Sequence, residues 1–270
     1  MNLFKRLRFA NDPRPGDRAV DTDSVPAYPG LCNLCGATGE FSLGDCPPHH
    51  AARAFRCPSC GAALRFRNEA AALVEVIGRG RHLSLRTLIA DPAVRKMSLY
   101  HIGIGGPVRQ WLRQVADYCE STLFEDGHRE EVRDGVHHQD LVDLSFADGR
   151  FDLVTSSHVM EHVSDPWAAL TEIHRVLKPG GHYVFSIPIG WPPPETSIRR
   201  ATITDGKLEH HLPAAYHESP GGSPSLVFTD FGSDLLDHLE EAGFQARQCR
   251  PNIGLQHAFI DSVFVATRPG

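Results

Sequence analysis

The chain has 270 residues, long enough to bury a sizeable core without disulfide support. Its 27 Lys and Arg against 33 Asp and Glu give a formal charge of -6, which lacks the basic excess of a generic nucleic-acid binder. An apolar fraction of 41% with 22% charged residues excludes disorder, collagen and coiled coil, and no apolar run approaches the ~20 residues of a membrane span.

Residues 1–28 are rich in Pro, Asp and Arg and read as an extended arm. Their basic start lacks the apolar run of a secretory signal, so the expected compartment is the cytoplasm. There, seven cysteines point to metal ligands or reactive thiols rather than disulfides. Four of them form two knuckles, Cys32-Asn-Leu-Cys35-Gly36 and Cys57-Pro-Ser-Cys60-Gly61, separated by 21 residues. Two such turns present four thiolates to one tetrahedral ion, and a site filled by sulfur has no place for a catalytic water. Residues 29–64 are therefore expected to be a structural zinc ribbon bound through Cys32, Cys35, Cys57 and Cys60. Cys46 lies between the knuckles and is surplus to a complete site, while Cys119 and Cys249 sit among apolar residues and read as small core residues.

Residues 65–95 read as a helical connector, an Ala- and Leu-rich helix broken at Gly78-Arg-Gly80. From residue 96 strands alternate with helices. Ser98–Ile102 is a strand running into Gly103-Ile-Gly105-Gly106, and residues 107–118 have helical spacing with proline at the start. Strands follow at about 118–124 and 151–155. Asp165-Pro166 caps a helix ended by Pro179-Gly180-Gly181, and a strand follows at 182–187. Residues 188–230, rich in Pro, Gly and His, are too long for an ordinary connection and read as a functional insertion. A helix at 231–241 and a final antiparallel pair near 245–249 and 262–267 complete the pattern. The fold class is α/β: a doubly wound, Rossmann-like, mostly parallel sheet behind an N-terminal zinc ribbon.

A strand entering Gly-x-Gly and then a helix cradles a nucleotide or nucleoside, but alone it is a weak signal. A nicotinamide site wants a third glycine at position 108, where valine stands. Further motifs follow in order: Asp140-Leu-Val-Asp-Leu-Ser-Phe146, Phe151-Asp-Leu-Val, His158-Val-Met-Glu-His162, and Glu172-Ile-His-Arg-Val-Leu-Lys-Pro-Gly-Gly181. Together with the glycine loop these resemble the class I S-adenosylmethionine-dependent methyltransferases of the type 11 branch. The ribbon, followed by Arg65 and Arg67, resembles a subgroup with a zinc ribbon ahead of that domain.

The resemblance implies a residue-by-residue assignment. Gly103 and Gly105 would face the methionine and ribose of S-adenosylmethionine. Asp140 would accept from the adenine amino group with Leu141 beside it, and Ser156 to His158 would lie near the transferring methyl. Two positions depart from the family pattern: His101 stands where an acid helps to hold the methionine amino group, and Thr122 where an acid binds the ribose, with Glu120, Glu125 or Asp126 as substitutes. The expected activity is methyl transfer to a small-molecule or sugar-like acceptor, with His158 and His162 as candidate histidine bases. The Glu209-His210-His211 run reads as solvated loop. Tyr216-His217 and Phe228-Thr-Asp-Phe-Gly232 would shape the pocket rim, and Arg199 and Arg200 could meet an acidic acceptor. A catalytically degenerate interaction protein and an RNA methyltransferase are the alternatives. Nucleic acid is not an expected partner, and oligomeric state is left open.

Overall fold

A computed structural model describes residues 27–42, 55–124, 126–189, 193–218, 224–249 and 262–270. The arm, Cys46 and Glu125 lie outside the described residues. Strands β1 (Tyr28–Leu31) and β2 (Thr38–Phe41) form the ribbon hairpin. Helices α1 (Leu64–Gly78), α2 (Leu85–Ala90) and α3 (Pro92–Arg95) lead into β3 (Ser98–Ile102), α4 (Pro107–Leu112), β4 (Asp117–Thr122), β5 (Val132–Arg133), β6 (Val136–His138) and β7 (Phe151–Ser157). A 3₁₀ turn at Met160–His162 precedes α5 (Pro166–Val176) and β8 (Leu177–Ile187). The insertion carries β9 (Ile198–Arg199), β10 (Ala201–Thr204), β11 (Lys207–His210), β12 (Tyr216–Glu218), β13 (Pro224–Leu226) and β14 (Thr229–Asp230). Then α6 (Leu235–Glu241), β15 (Gln245–Cys249) and β16 (Ser262–Thr267) follow.

Eight strands form one sheet in the order β5-β6-β4-β3-β7-β8-β16-β15. The five from β6 to β8 are parallel, and β16 and β15 close the edge antiparallel. Order reverses between β3 and β7, and in open α/β sheets ligands bind beyond the carboxyl ends of strands at that point. The first strand is buried at all five positions, as a doubly covered strand must be. Leu99, Leu153, Val184 and Val265 pack on one side against α1, α2, α4 and the ribbon's Cys32, Leu34 and Phe41. Tyr100, Val154, Phe185 and Phe264 pack on the other side against residues of α5 and α6.

Local chemistry sets the boundaries. The Asp165 carboxylate accepts from the Trp167 and Ala168 amides and Pro166 takes the first helical position, so α5 starts where the sequence places it. The helix expected to reach residue 118 stops at Leu112, because Ser98 pairs with Asp117 and the sheet claims the chain from there. Likewise, the helix expected from residue 231 begins at Leu235. A side chain at Gly232 would come within 2.6 Å of the Thr196 backbone, so this stretch is pressed against the insertion instead of coiling.

Helix α4 is only six residues long and is fastened by charge. Arg109 donates two bonds of 2.7 Å to Glu120 on β4, Tyr118 donates a third at 2.6 Å, and Arg113 lies 3.3 Å away. Burial alone would raise the Glu120 carboxyl, but Arg109 and Tyr118 hold it below the usual carboxylate range. Glu120→Gln leaves Arg109 beside a neutral amide and is expected to lower unfolding free energy by about 2–3 kcal/mol. Arg113→Ala, at a half-exposed side chain, is expected to cost under about 1 kcal/mol. Urea denaturation of both variants checks the contrast, and equal losses would rule out Arg109–Glu120 as the fastening.

Candidate functional site

Each cysteine knuckle closes identically: Gly36 N–H donates to Cys32 O and Gly61 N–H to Cys57 O, with both glycines at positive φ. The Sγ atoms of Cys32 and Cys60 are 3.8 Å apart and those of Cys35 and Cys57 3.7 Å. A tetrahedral zinc with bonds of about 2.3 Å places its sulfurs about 3.8 Å apart. All four sulfurs lie within 4.8 Å of one another. Arg67, buried on α1, donates to the Phe55 carbonyl and stacks over Phe41 at 3.4 Å, and its electrostatic neighbours are Cys32, Cys57 and Cys60. A buried guanidinium beside three of the four sulfurs is the kind of counter-charge that would offset a tetrathiolate centre with a net charge of -2. The ribbon is joined to the next helix by bonds from the Leu85 and Arg86 amides to the Asn33 and Leu34 carbonyls.

The second cluster lies beyond the carboxyl ends of the parallel strands. Gly103, at φ 99°, turns the chain out of β3, and a Cβ there would sit 3.5 Å from Val159, so the loop runs close over the end of β7. Asp140 follows β6 with an exposed carboxylate that accepts from the Val142 amide, and Leu141 beside it is buried. Thr122 ends β4, and Ile104 and Leu123 expose apolar surface along the same rim. Ser156, near the end of β7, has its hydroxyl buried against Tyr183 at 2.7 Å, and Ser157 binds Glu69. His158 leaves β7 in the left-handed region at φ 52°, with its amide donating to Ser186 O. A non-glycine residue held there stores strain of a kind that clusters at functional sites.

His101 is buried, with Nδ1 2.8 Å from the Thr155 hydroxyl and a bond to the Gly105 backbone. Desolvation pushes its pKa down to about 4, so at neutral pH an uncharged imidazole braces the glycine loop. Of the candidate acidic substitutes, Glu120 is clamped as described, and Asp126 is paired with Arg133 at 2.9 Å.

The insertion covers the end of β7. Phe228 N–H donates to Glu161 O, and His162 Nδ1 lies 2.8 Å from Leu226 O. His217 reaches the same place from β12, with Nδ1 3.7 Å from Glu161 Oε1. Glu161 was legible as part of the His158–His162 motif, but the meeting with His217 depends on strand pairing in the insertion. By contrast, Arg199 donates to Ser164 O and Arg200 pairs with Asp230 at 2.6 Å, so both are engaged within the protein. Glu209 and His210 are exposed on β11, and His211 meets Thr202 at 3.0 Å. Glu69 was missed by sequence reasoning, although an acid inside the buried stripe of an Ala-rich helix was a signal.

Residues 102–185 match the family model described as a methyltransferase domain. An uncharacterized methyltransferase of Mycobacterium sp. (strain KMS) is 49% identical over 98 residues, covering 34% of this chain and 35% of its own length. A demethylmenaquinone methyltransferase of Clavibacter sepedonicus is 42% identical over 79 residues, covering 27% and 32%. A solved S-adenosylmethionine-dependent methyltransferase from Mesorhizobium loti aligns at a TM-score of 0.43 and 20% identity, over 68% of this chain and 95% of its own. The chain thus spans about a third of the length of the curated relatives it matches. The stretch that matches the methyltransferase model runs from the end of β3 into β8.

His101 makes a pH-dependent contribution of defined sign. Its folded pKa lies below its ordinary value of 6.5, so its stabilising effect is complete above that value and fades as pH falls towards about 4. Chemical denaturation is expected to show about 2 kcal/mol lost through this group between pH 7.5 and 5, and His101→Gln should flatten that part of the profile. An unchanged slope in the variant would assign the loss to other groups.

Proposed function

We propose that the protein transfers a methyl group from S-adenosylmethionine to a small-molecule acceptor, with His158 as general base and a structural zinc in the ribbon. The observation that carries this reading is the convergence beyond the sheet of the Gly103 loop, Asp140 and His158, within the segment that matches the methyltransferase family. Relatives named demethylmenaquinone methyltransferase act on a small molecule by their name, which favours that acceptor class here.

The residues fit the cofactor. The Gly103 turn brings backbone close over the end of β7, Asp140 offers an exposed carboxylate to an exocyclic amine, and Ile104 and Leu123 supply an apolar rim for the adenosine. Bound, the cofactor supplies a methyl already activated on a sulfonium, so the protein's share is alignment and removal of the acceptor's proton. His158 stands at the end of the strand that would lie beside the methyl group, held by its amide bond to Ser186. His162 keeps Nδ1 at the Leu226 carbonyl and presents Nε2 towards Glu161. Seven cysteines without a need for disulfides suit the reducing cytoplasm, where we place the protein.

Calorimetric titration with S-adenosylhomocysteine is expected to give one-to-one micromolar binding, weakened about tenfold in Asp140→Ala through loss of one charge-assisted hydrogen bond. His158→Ala is expected to lower turnover by 10²- to 10⁴-fold while product-analogue affinity holds. Absence of binding to the folded protein would sink the enzymatic reading and favour an interaction module. For the ribbon, a strong chelator at neutral pH is expected to remove one zinc per chain and lower the melting temperature. Cys60→Ser should prevent stoichiometric loading, and full loading of that variant would overturn the four-cysteine assignment.

A further inference from the structure

We infer that Glu161, His162 and His217 form a second metal site, of nitrogen and oxygen ligands, that takes a divalent cation of the Mn²⁺, Fe²⁺ or Zn²⁺ class beside the methyl-transfer position. The ligand atoms of these three residues lie within 4.8 Å of one another. His162 Nε2 and His217 Nδ1 each stand 3.7 Å from Glu161 Oε1, and His158 Nδ1 stands 3.7 Å from the same oxygen.

Three features favour an ion over a set of hydrogen bonds. First, Glu161 is 1% exposed and neither carboxylate oxygen accepts a hydrogen bond, an arrangement that costs several kcal/mol unless a cation lies beside it. Second, the 3.7 Å spacing is too long for imidazole-to-carboxylate hydrogen bonds, yet it approaches the roughly 3.4 Å between ligands that a metal holds at about 2.1 Å in a tetrahedron. Third, His162 Nδ1 is fastened to the Leu226 carbonyl, so in the ring form that can bind a metal Nε2 turns a lone pair on the Glu161 carboxylate. Two lone pairs facing each other in a buried space repel, and a cation between them turns repulsion into coordination. The bond from Nδ1 to a backbone carbonyl is also the outer support that metal-bound histidines commonly have.

Two imidazoles and one carboxylate on one side of an ion leave its other positions open, unlike the closed ribbon site. Its net charge of about +1 would favour an anionic or ionising oxygen. A hydroxyl or enol acceptor bound there would be acidified and fixed in line with the methyl, with His158 placed to take its proton. This use rests on the methyl-transfer reading; the binding of the ion does not.

The test is titration of the full-length, zinc-loaded protein with Mn²⁺, followed by the electron paramagnetic resonance signal of the free ion. The all-sulfur ribbon is a poor Mn²⁺ site, so the two centres separate. One Mn²⁺ per chain is expected with a Kd below about 100 µM, weakened at least tenfold in Glu161→Gln and in His217→Ala. His217 lies on the half-exposed insertion, so its variant decides the matter if Glu161→Gln does not fold. Absence of a Mn²⁺ or second Zn²⁺ site, or binding unaltered in His217→Ala, would overturn the inference. S-adenosylhomocysteine binding measured on the same samples separates the two readings: binding without metal uptake would overturn the ion alone, and metal uptake without it would support the site and remove its catalytic use.

Discussion

One buried carboxylate ties the two halves of the chain together. Glu69 sits on α1, directly after the ribbon, and its Oε1 accepts from Ser157 at the end of β7 and from Ser186 on β8, both at 2.6 Å. Those serines bracket the point where the backbone swings into its left-handed turn at His158, whose own amide is held by Ser186. The ribbon shares its core with α1 and with one face of the sheet, so order in the cysteine centre is transmitted through α1 to the strand ends. The ribbon is therefore structural in a particular sense: it fixes the helix whose acid positions the site.

The charges around the strand ends are divided strictly between scaffold and site. Glu120 belongs wholly to Arg109, Arg113 and Tyr118 and holds α4 on the sheet. His101 stays uncharged and braces the glycine loop. Both groups are thus spent on rigidity. Among the described residues named for the site, Asp140 remains exposed and Glu161 remains buried without a hydrogen bond on its carboxylate. These two groups follow β6 and β7, on either side of β4 and β3 in the sheet.

Much of this fold was legible in the sequence because its signals are local. The apolar run at Ser98–Ile102, the Asp165-Pro166 cap and the break after Gly78 each fix an element through neighbouring residues. Boundaries moved where a distant partner took over, as when pairing with β3 ended α4 early or the backbone at Thr196 pressed on Gly232. The site divides in the same way. The knuckles and the glycine loop are short motifs, whereas the approach of His217 to Glu161 spans 56 positions and depends on the β12–β13 pairing. For Ser156 the place on β7 was readable, whereas the inward turn of its hydroxyl to Tyr183 depends on strand alternation and a distant partner.

The insertion joins these themes. It docks on the 3₁₀ turn through its own backbone, the Phe228 amide donating to the Glu161 carbonyl and the Leu226 carbonyl accepting from His162 Nδ1, so its seating does not depend on its own side chains along most of its length. Backbone docking leaves the outer hairpin of β10 and β11 free to vary, and its exposed Ile203 and Leu208 make no contribution to the core. His217 is different, because β12 delivers it to the buried Glu161. The insertion thus both covers the end of β7 and brings an imidazole to its buried acid.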